Sequence, residues 1–358
     1  MTAPSWPGFL LATLIGTLSI WVVLALWVVC APMTILNAGQ VPLIAKDDLL
    51  RQCPRSDIVV FGDSRADAAI DPRLIAQPTV NLARGGGSLE EDYYRIGRYL
   101  ACGNKPRLLI FAYVLPEYLR VSPRNFWQGM ATAHLLGMAE RNEILRRIAG
   151  TGDDALRPLD WEEIGPYPMV PALYKSFLYQ LYFPALYSSN VMGSLEHGIL
   201  FRYYDNIRIY NATITNHGRS EYHALPHPPG PDHDIDMWSG RPHPAIEHYL
   251  LAILTMLKNS EIPTMIMVMP VNDATWSGIA VPVREGLMHY LNALPEQFPN
   301  VVVSDPDLPH WPDEYFGDTT MHLTARGTEA VAAVLNRCIP AMLAGETNAS
   351  CALAAPPP

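Results

Sequence analysis

Apolar residues occur in this chain in one long run and several short ones. The long run extends from Gly8 to Leu36 without a charged residue, and it exceeds the roughly 20 residues that a helix needs to cross a bilayer. The short runs contain a few apolar residues each, many of them β-branched, which is typical of strands buried on both faces of a sheet. The pattern therefore predicts a transmembrane helix followed by a domain with a buried sheet.

Amphipathic segments lie between the short apolar runs. Strands are predicted at residues 58–61, 79–83, 108–114, 264–269 and 301–304, with helices at 66–70, 89–100, 246–258, 283–294 and 324–336. Alternating strands and helices indicate a parallel sheet whose faces are covered by the helices. The predicted fold class is α/β, with a flavodoxin-like parallel sheet of about five strands and helices on both faces, in addition to the N-terminal transmembrane helix.

The alternation is interrupted in the middle of the chain. Residues 116–244 lack the strand and helix pattern, and the part between Asn211 and Pro244 is dense in Pro, Gly, His and Asp. A loop of that length in a compact enzyme is usually either functional or disordered. The predicted organisation is an anchor at residues 1–40, one domain at 41–340 with a large insertion at about 116–244, and a flexible tail at 341–358.

Charge excludes one class of partner. The 358 residues carry a formal net charge of -10, with a pI near 5.5, and no basic stripe appears along the chain. Proteins that bind nucleic acid need such a stripe to contact the phosphates. No nucleic-acid partner is therefore predicted.

The cysteines divide into one residue in the apolar run and an even set of four elsewhere. Cys53 and Cys102 each precede a predicted strand, so their sulfur atoms lie at the same end of the sheet if those strands are parallel neighbours. A disulfide between them and two unpaired buried thiols are equal alternatives. Cys338 and Cys351 are a second candidate pair. The cysteine pattern favours an extracytoplasmic domain.

Two separated segments carry candidate chemistry. Ser64 follows the first predicted strand directly after a Gly-Asp turn, and His322 lies in a loop after a later strand, four residues beyond Asp318. The carboxyl ends of parallel strands meet at one edge of a sheet, which is where open α/β proteins bind their ligands. A serine becomes a strong nucleophile when a histidine takes its proton and a carboxylate orients that histidine. Backbone N–H groups of Ser64 and Gly86 are the candidates for the oxyanion hole.

At these residues the sequence resembles the SGNH (GDSL) hydrolase superfamily. The resemblance covers Phe61-Gly62-Asp63-Ser64, the segment from Asn81 to Gly86, and the segment from Asp318 to His322 with the Leu323 and Gly327 that follow. It implies the SGNH hydrolase fold, Ser64 as nucleophile and Gly86 as an oxyanion donor. The first segments, together with residues 105–110, look most like the membrane-anchored branch that includes DltD-like and alginate-acetylation-type proteins.

The chain departs from the family pattern at two places. Three residues separate Asp318 from His322, whereas the last family block has two, so either the loop bulges or another acid orients the histidine, with Asp313 the next candidate. The family block that supplies an oxyanion-hole Asn after the third strand is also missing. Asn272, after the fourth strand, is the predicted substitute, although it approaches from a different direction.

Other polar residues near the predicted site have two interpretations. Arg65 and Arg84 flank it, and each is either a surface or ion-paired charge or a contact to an anionic or polar substrate group. His223 and His227, in the insertion, are alternative bases if His322 is not the base. The His- and Asp-rich part of the insertion matches no zinc or calcium spacing. No metal and no cofactor are predicted.

These observations lead to one principal functional hypothesis. The expected protein is a serine esterase or O-acyltransferase that acts through an acyl-Ser64 intermediate on acyl, in the first place acetyl, esters of a cell-surface or secreted polysaccharide. The resemblance implies single-pass attachment to the bacterial inner membrane, a periplasmic catalytic domain, and a partner such as a multi-pass O-acyltransferase or a polysaccharide synthase complex. The alternatives are a non-catalytic assembly subunit with the same fold and a flavodoxin-like module whose glycine run, residues 85–87, holds a phosphate.

Overall fold

A computed structural model describes residues 6–114, 118–119, 140, 143–144, 146, 189–220, 230–231, 240–318, 322–345 and 351–354. Its centre is a sheet of five parallel strands, β1 (Ile58–Gly62), β2 (Thr79–Asn81), β3 (Leu108–Tyr113), β4 (Thr264–Val268) and β6 (Val301–Val303), in the order β2-β1-β3-β4-β6. Almost every residue of these strands is buried, which explains their continuous apolar runs. The predicted α/β class and the five-stranded parallel sheet are confirmed.

Helices connect the strands. They are α2 (Val41–Arg51), α3 (Ser64–Ala69), α4 (Leu89–Ala101), α7 (Pro244–Asn259), α8 (Asp273–Gly278), α9 (Val281–Gln297) and α10 (Ala325–Leu343). Two short strand pairs complete the described domain: β5 (Val271–Asn272) pairs with β7 (His310–Trp311) in parallel, and β8 (Phe316–Asp318) pairs with β9 (His322–Leu323) antiparallel. The predicted helices are found within a few residues of their expected bounds, apart from α10, which continues seven residues beyond the predicted end at 336.

The order of the strands reverses direction at β1. From β1 the chain moves to β2 on one side, and then crosses to β3, β4 and β6 on the other. Loops that leave β1 and its two neighbours diverge at such a point and open a crevice at the carboxyl edge of the sheet. The turn after β1 therefore lies where this fold accommodates ligands.

The N-terminal segment is helical. Helix α1 (Trp6–Cys30) contains 25 residues, none of them charged, and most of its described large apolar side chains are exposed, whereas Trp27 is half-buried. Judged by length and hydropathy together, no helix in the described part of the chain qualifies to cross a membrane. The transmembrane helix predicted within residues 1–40 is thus not found.

The described part of the insertion covers the edge of the sheet. Helices α5 (Ser189–His197) and α6 (Ile199–Thr215) pack together, and α6 also packs against α2. Beyond α6 the chain turns onto β2, where the N–H of Asn81 donates to the carbonyl of His217 at 2.9 Å. An unpaired strand edge invites association with other chains, and this turn protects it.

Both candidate cysteine pairs form disulfides. Cys53 is bonded to Cys102, and Cys338 to Cys351. The second bond holds residues 351–354 against the domain, where Leu353 is buried and its carbonyl accepts a hydrogen bond from Trp311 Nε1 at 2.9 Å. Flexibility was predicted for the whole tail, residues 341–358; within it, Cys351 and Leu353 are buried.

Candidate active site

The turn that carries Ser64 is held on two sides. Gly62 has a φ of +154°, and a Cβ atom there would lie 1.9 Å from the carbonyl oxygen of Ala112, so only glycine fits. One carboxylate oxygen of Asp63 accepts the N–H of Arg65 at 2.8 Å, and the other accepts the N–H of Val114 at 3.0 Å. Asp63 thereby caps α3 and ties it to the end of β3. Ser64 is the first residue of α3.

Burial affects the charge of that capping aspartate. Asp63 is almost inaccessible to solvent, and this burial raises the pKa of its carboxyl, against the opposing effects of Arg65 and of the backbone N–H donors. A carboxylate that accepts several N–H groups is suited to a fixed structural role. Asp63 therefore positions the turn, which leaves Ser64 as the side chain available for chemistry.

The glycine turn lies beside the turn after β1. The N–H of Arg84 donates to the carbonyl of Gly62 at 2.9 Å, and the N–H of Gly87 donates back to the carbonyl of Arg84 at 3.0 Å. Gly86 has a φ of +67°, and a Cβ atom on Gly87 would lie 2.9 Å from the Gly62 carbonyl oxygen. The positive φ at Gly86 and the close approach at Gly87 are the physical reasons for glycine at these two positions.

A hairpin brings the predicted acid and base together in register. Asp318 of β8 lies directly opposite His322 of β9, with a register irregularity between Phe316 and Asp318. The three intervening residues form the connection between the two strands, so the spacing that departs from the family block is the spacing of this hairpin. Strand β9 packs against α3, the helix that begins at Ser64.

Ser64 and His322 line the same cavity, which has a volume of about 580 Å³. Gly85 and Asp67 contribute to its wall, and α6 supplies another side. The complete lining is Ala38, Gly39, Pro42, Leu43, Ser64, Asp67, Gly85, Asp205, Arg208, Ile209, Ala212, Thr213, Ser220 and His322. A cavity that joins a serine, a histidine and a glycine turn is the default candidate for an active site.

Five other predicted site residues are not among the residues that line this cavity. They are Asp318, Arg65, Arg84, Gly86 and Asn272. Gly86, the predicted oxyanion donor, is exposed in the glycine turn and does not line the cavity. The glycine that does line it is Gly85, one position earlier in the chain. Arg65 and Arg84 are both buried, which excludes the exposed surface charge considered for them.

Arg84 belongs to a buried network of charges. Its guanidinium pairs with Glu91, and Arg95 pairs with Asp92 at 2.7 Å. Tyr113 donates its hydroxyl to the second oxygen of Asp92 at 2.7 Å, while burial raises the pKa of Asp92 to about 6. Of the two interpretations considered for Arg84, the ion pair is the one found, with Glu91 as its partner. A contact between Arg84 and a substrate stays a prediction.

A second buried pair connects the elements around Ser64. Lys46 Nζ of α2 lies 2.5 Å from Asp67 Oδ1, one turn beyond Ser64 in α3, and it also donates to the carbonyl of Ala83 just before the glycine turn. The N–H of Ser220 donates to Asp67 Oδ1 at 2.9 Å. Burial lowers the pKa of Lys46 to about 8, although Asp67 opposes the shift. The Lys46–Asp67 ion pair therefore connects α2, α3 and the residue before the glycine turn.

Asn272 is engaged elsewhere. Its side-chain amide donates to Asp313 Oδ1 at 3.0 Å and to the carbonyl of Gly230 at 3.2 Å, and its oxygen accepts the N–H of Thr275 to cap α8. These contacts give both Asn272 and Asp313 a structural explanation. The alternative bases His223 and His227 lie outside the described residues.

Neither comparison with known proteins yields a relative. No protein-family model matches this chain, and no curated protein matches it in sequence. The chemistry of the cavity must therefore be argued from its own residues.

Sequence reasoning missed the walls of the cavity. Asp205 and Arg208 lie in α6, within the insertion, where the sequence showed no strand rhythm to place them. Lys46 and Asp67 gave no signal, because a lysine in an amphipathic helix usually faces solvent. The available clue was that Lys46 lies at the helical spacing of Leu43 and Leu50 in α2, where an apolar residue is expected.

Proposed function

We propose that the protein is a serine esterase or O-acyltransferase that uses Ser64 as nucleophile and His322 as base. The observation that supports this most directly is that both residues line one cavity at the carboxyl edge of the sheet. The fixed turn around Ser64 is a second support, because a nucleophile must be held within a fraction of an ångström of its productive position. The pairing of β8 with β9 is a third, since it sets Asp318 opposite His322.

The proposed reaction proceeds in two acyl transfers. Ser64 Oγ attacks the carbonyl carbon of the ester while His322 takes the hydroxyl proton. Backbone N–H groups of Ser64 and of the glycine turn stabilise the negative charge on the carbonyl oxygen. The tetrahedral intermediate collapses, His322 returns the proton to the leaving alcohol, and acyl-Ser64 remains. Water or a sugar hydroxyl then attacks this ester, again losing its proton to His322, and Ser64 is regenerated.

The family and location are part of the proposal. The strand order β2-β1-β3-β4-β6 supports a flavodoxin-like arrangement of the SGNH type, and the two disulfides support an extracytoplasmic domain. Attachment to the bacterial inner membrane is supported by the exposed apolar side chains of α1, and it does not require the transmembrane helix that the described part of the chain lacks. A polysaccharide acceptor and a multi-pass membrane partner rest on the resemblance alone.

One feature favours a second candidate function. Asn272, the proposed substitute for the missing family asparagine, is occupied by structural hydrogen bonds. A protein that lost its oxyanion side chain could keep the fold as a non-catalytic subunit of a polysaccharide assembly complex. This alternative predicts that the serine is inert.

Turnover of a small acetyl ester separates the two candidates. Wild-type protein should hydrolyse 4-nitrophenyl acetate faster than Ser64→Ala and His322→Ala, with rate losses of about 10²-fold or more. Ser277→Ala and His289→Ala change an exposed serine and an exposed histidine in α8 and α9, and they should match the wild type. Equal rates in all five proteins would reject the enzyme and favour the assembly subunit.

A further inference from the structure

Large apolar side chains are exposed where α5 ends and α6 begins. Leu200 and Phe201 are 70% and 71% exposed. We define the α5–α6 apolar surface as Leu195, Ile199, Leu200, Phe201, Tyr203 and Tyr204, all of which are exposed. Exposed apolar side chains that cluster in this way usually mark a surface that binds a membrane or another molecule.

The opposite face of α6 is fixed to the segment that follows α1. Arg202 Nη1 donates to the carbonyl of Ile35 at 3.1 Å, and Asn206 Nδ2 donates to the carbonyls of Met33 and Leu36, both at 2.8 Å. These bonds prevent α6 from rotating its apolar residues inward. The exposure of the α5–α6 apolar surface is therefore a consequence of how the helix is held.

This surface adjoins α1. Ser194 of α5 donates its hydroxyl to the carbonyl of Thr34, and Trp27 Nε1 in the last turns of α1 donates to the Thr34 hydroxyl at 2.9 Å. One residue thus contacts both helices. The C-terminal end of α1 and helix α5 are thus connected through Thr34.

The outer face of α6 changes character along its length. Its first turns expose Phe201 and Tyr204, whereas its later turns expose Arg208, Asn211 and Thr215. A boundary from apolar through aromatic to polar side chains is the pattern of a helix at a membrane interface, where tyrosine occupies the headgroup level. A protein interface would not require such an order along the helix.

We propose that the α5–α6 apolar surface lies in the interface of a lipid bilayer beside α1. This rests on the proposed membrane location. The polar boundary falls at Asp205 and Arg208, which also line the cavity of Ser64 and His322. The cavity consequently opens at the level of the lipid headgroups, and the acyl donor reaches Ser64 from the membrane surface.

Fluorescence quenching by brominated phosphatidylcholine in proteoliposomes tests this contact on the full chain. In a Cys30→Ser background, a nitrobenzoxadiazole label is attached at Phe201→Cys, at Val281→Cys, and at Ile20→Cys. Val281 is the matched control, because it is an apolar residue of α9 that is 45% exposed. The label at 201 should lose about half of its emission to bromine at a shallow acyl position, and the label at 281 should lose none. All substituted side chains are exposed, and an unchanged unfolding midpoint verifies each fold.

Each result decides the proposal. Quenching at 201 and 20 but not at 281 supports it. Quenching at 20 alone overturns it and leaves the location of α1 intact. A label at 201 that is shielded from water yet unquenched also overturns it, since a protein then covers the surface. Absence of quenching at 20 and 201 overturns the membrane location together with the contact, while the ester turnover of the same samples reports separately on the esterase proposal.

Discussion

The turns after β1 and β2 are joined by buried ion pairs, whereas the turns after β4 and β6 are joined by helix caps and the C-terminal tail. On the first side, Lys46 and Asp67 connect α2, α3 and the glycine turn. On the second side, Asn272 caps α8, and Asp305 accepts the N–H of Leu353 at 2.7 Å. Both sides belong to the same edge of one sheet.

The difference distinguishes the side that carries Ser64 from the side that carries Asn272. Burying a charge costs several kcal/mol before its partner compensates, so an apolar core would have been the more stable solution around α3. A buried pair does, however, specify one arrangement of the groups that it joins. Around Ser64 that arrangement includes helix α3 and the glycine turn, while around Asn272 ordinary capping suffices.

The largest expected effect is that of Gly62→Ala. The new Cβ atom would meet the carbonyl oxygen of Ala112 at 1.9 Å, which forces β1 and β3 apart. We expect a loss of more than about 4 kcal/mol in the free energy of unfolding, seen as failure to accumulate folded protein. Gly103→Ala also has a positive φ but meets no atom within 4 Å, so it should cost only about 1–2 kcal/mol. Equal costs would contradict this explanation of the turn.

Lys46→Met should remove the positive charge that lies 2.5 Å from the buried Asp67 carboxylate. The expected loss is about 3–5 kcal/mol in the free energy of unfolding, measured by denaturant titration in detergent. The double variant Lys46→Met/Asp67→Asn should recover part of it. Lys105→Met breaks an exposed pair with Glu261 and should cost less than about 1 kcal/mol. If both lysine variants cost the same, the pair near Ser64 has no special role.

On the side of β4 and β6, the free energy of unfolding should depend on pH through Asp305. Burial raises the pKa of its carboxyl from 3.8 to about 6, so between these values the folded state binds more protons than the unfolded state, and stability falls as pH rises. Relative to Asp305→Asn, wild type should therefore be more stable at pH 4 than at pH 7, by about 2–3 kcal/mol. Glu296→Gln, at an exposed position, is the control. An identical pH dependence in wild type and Asp305→Asn would contradict the assignment.

Asn272→Ala has the smallest expected effect on the free energy of unfolding. It distinguishes a structural role of Asn272 from a role as oxyanion donor. Loss of the cap on α8 should cost about 1–2 kcal/mol in the free energy of unfolding and leave ester turnover per folded molecule unchanged. A fall in turnover of about 10²-fold or more, with the unfolding midpoint preserved, would instead establish Asn272 as an oxyanion donor.

The sheet was predictable because buried parallel strands have short runs of β-branched residues in the sequence, and β1 is an example. The turn that carries Ser64 was predictable because Gly62 ends such a run. Asp318 was predicted beside His322 from their separation of four residues, but the β8–β9 hairpin that sets them opposite each other was not, since strands of three and two residues leave no periodic pattern in the sequence. Lys46 and Asp67 are 21 residues apart and meet through tertiary packing, which leaves no periodic trace.

The central claim is that Ser64 is a nucleophile activated by His322. The most direct measurement is to treat the detergent-solubilised protein with a fluorophosphonate and locate the adduct by peptide mass spectrometry. We expect one adduct, on the peptide that contains Ser64. This adduct should be absent in Ser64→Ala, strongly reduced in His322→Ala and unchanged in His289→Ala. An unlabelled wild type, or labelling at Ser64 that is indifferent to His322, would contradict it.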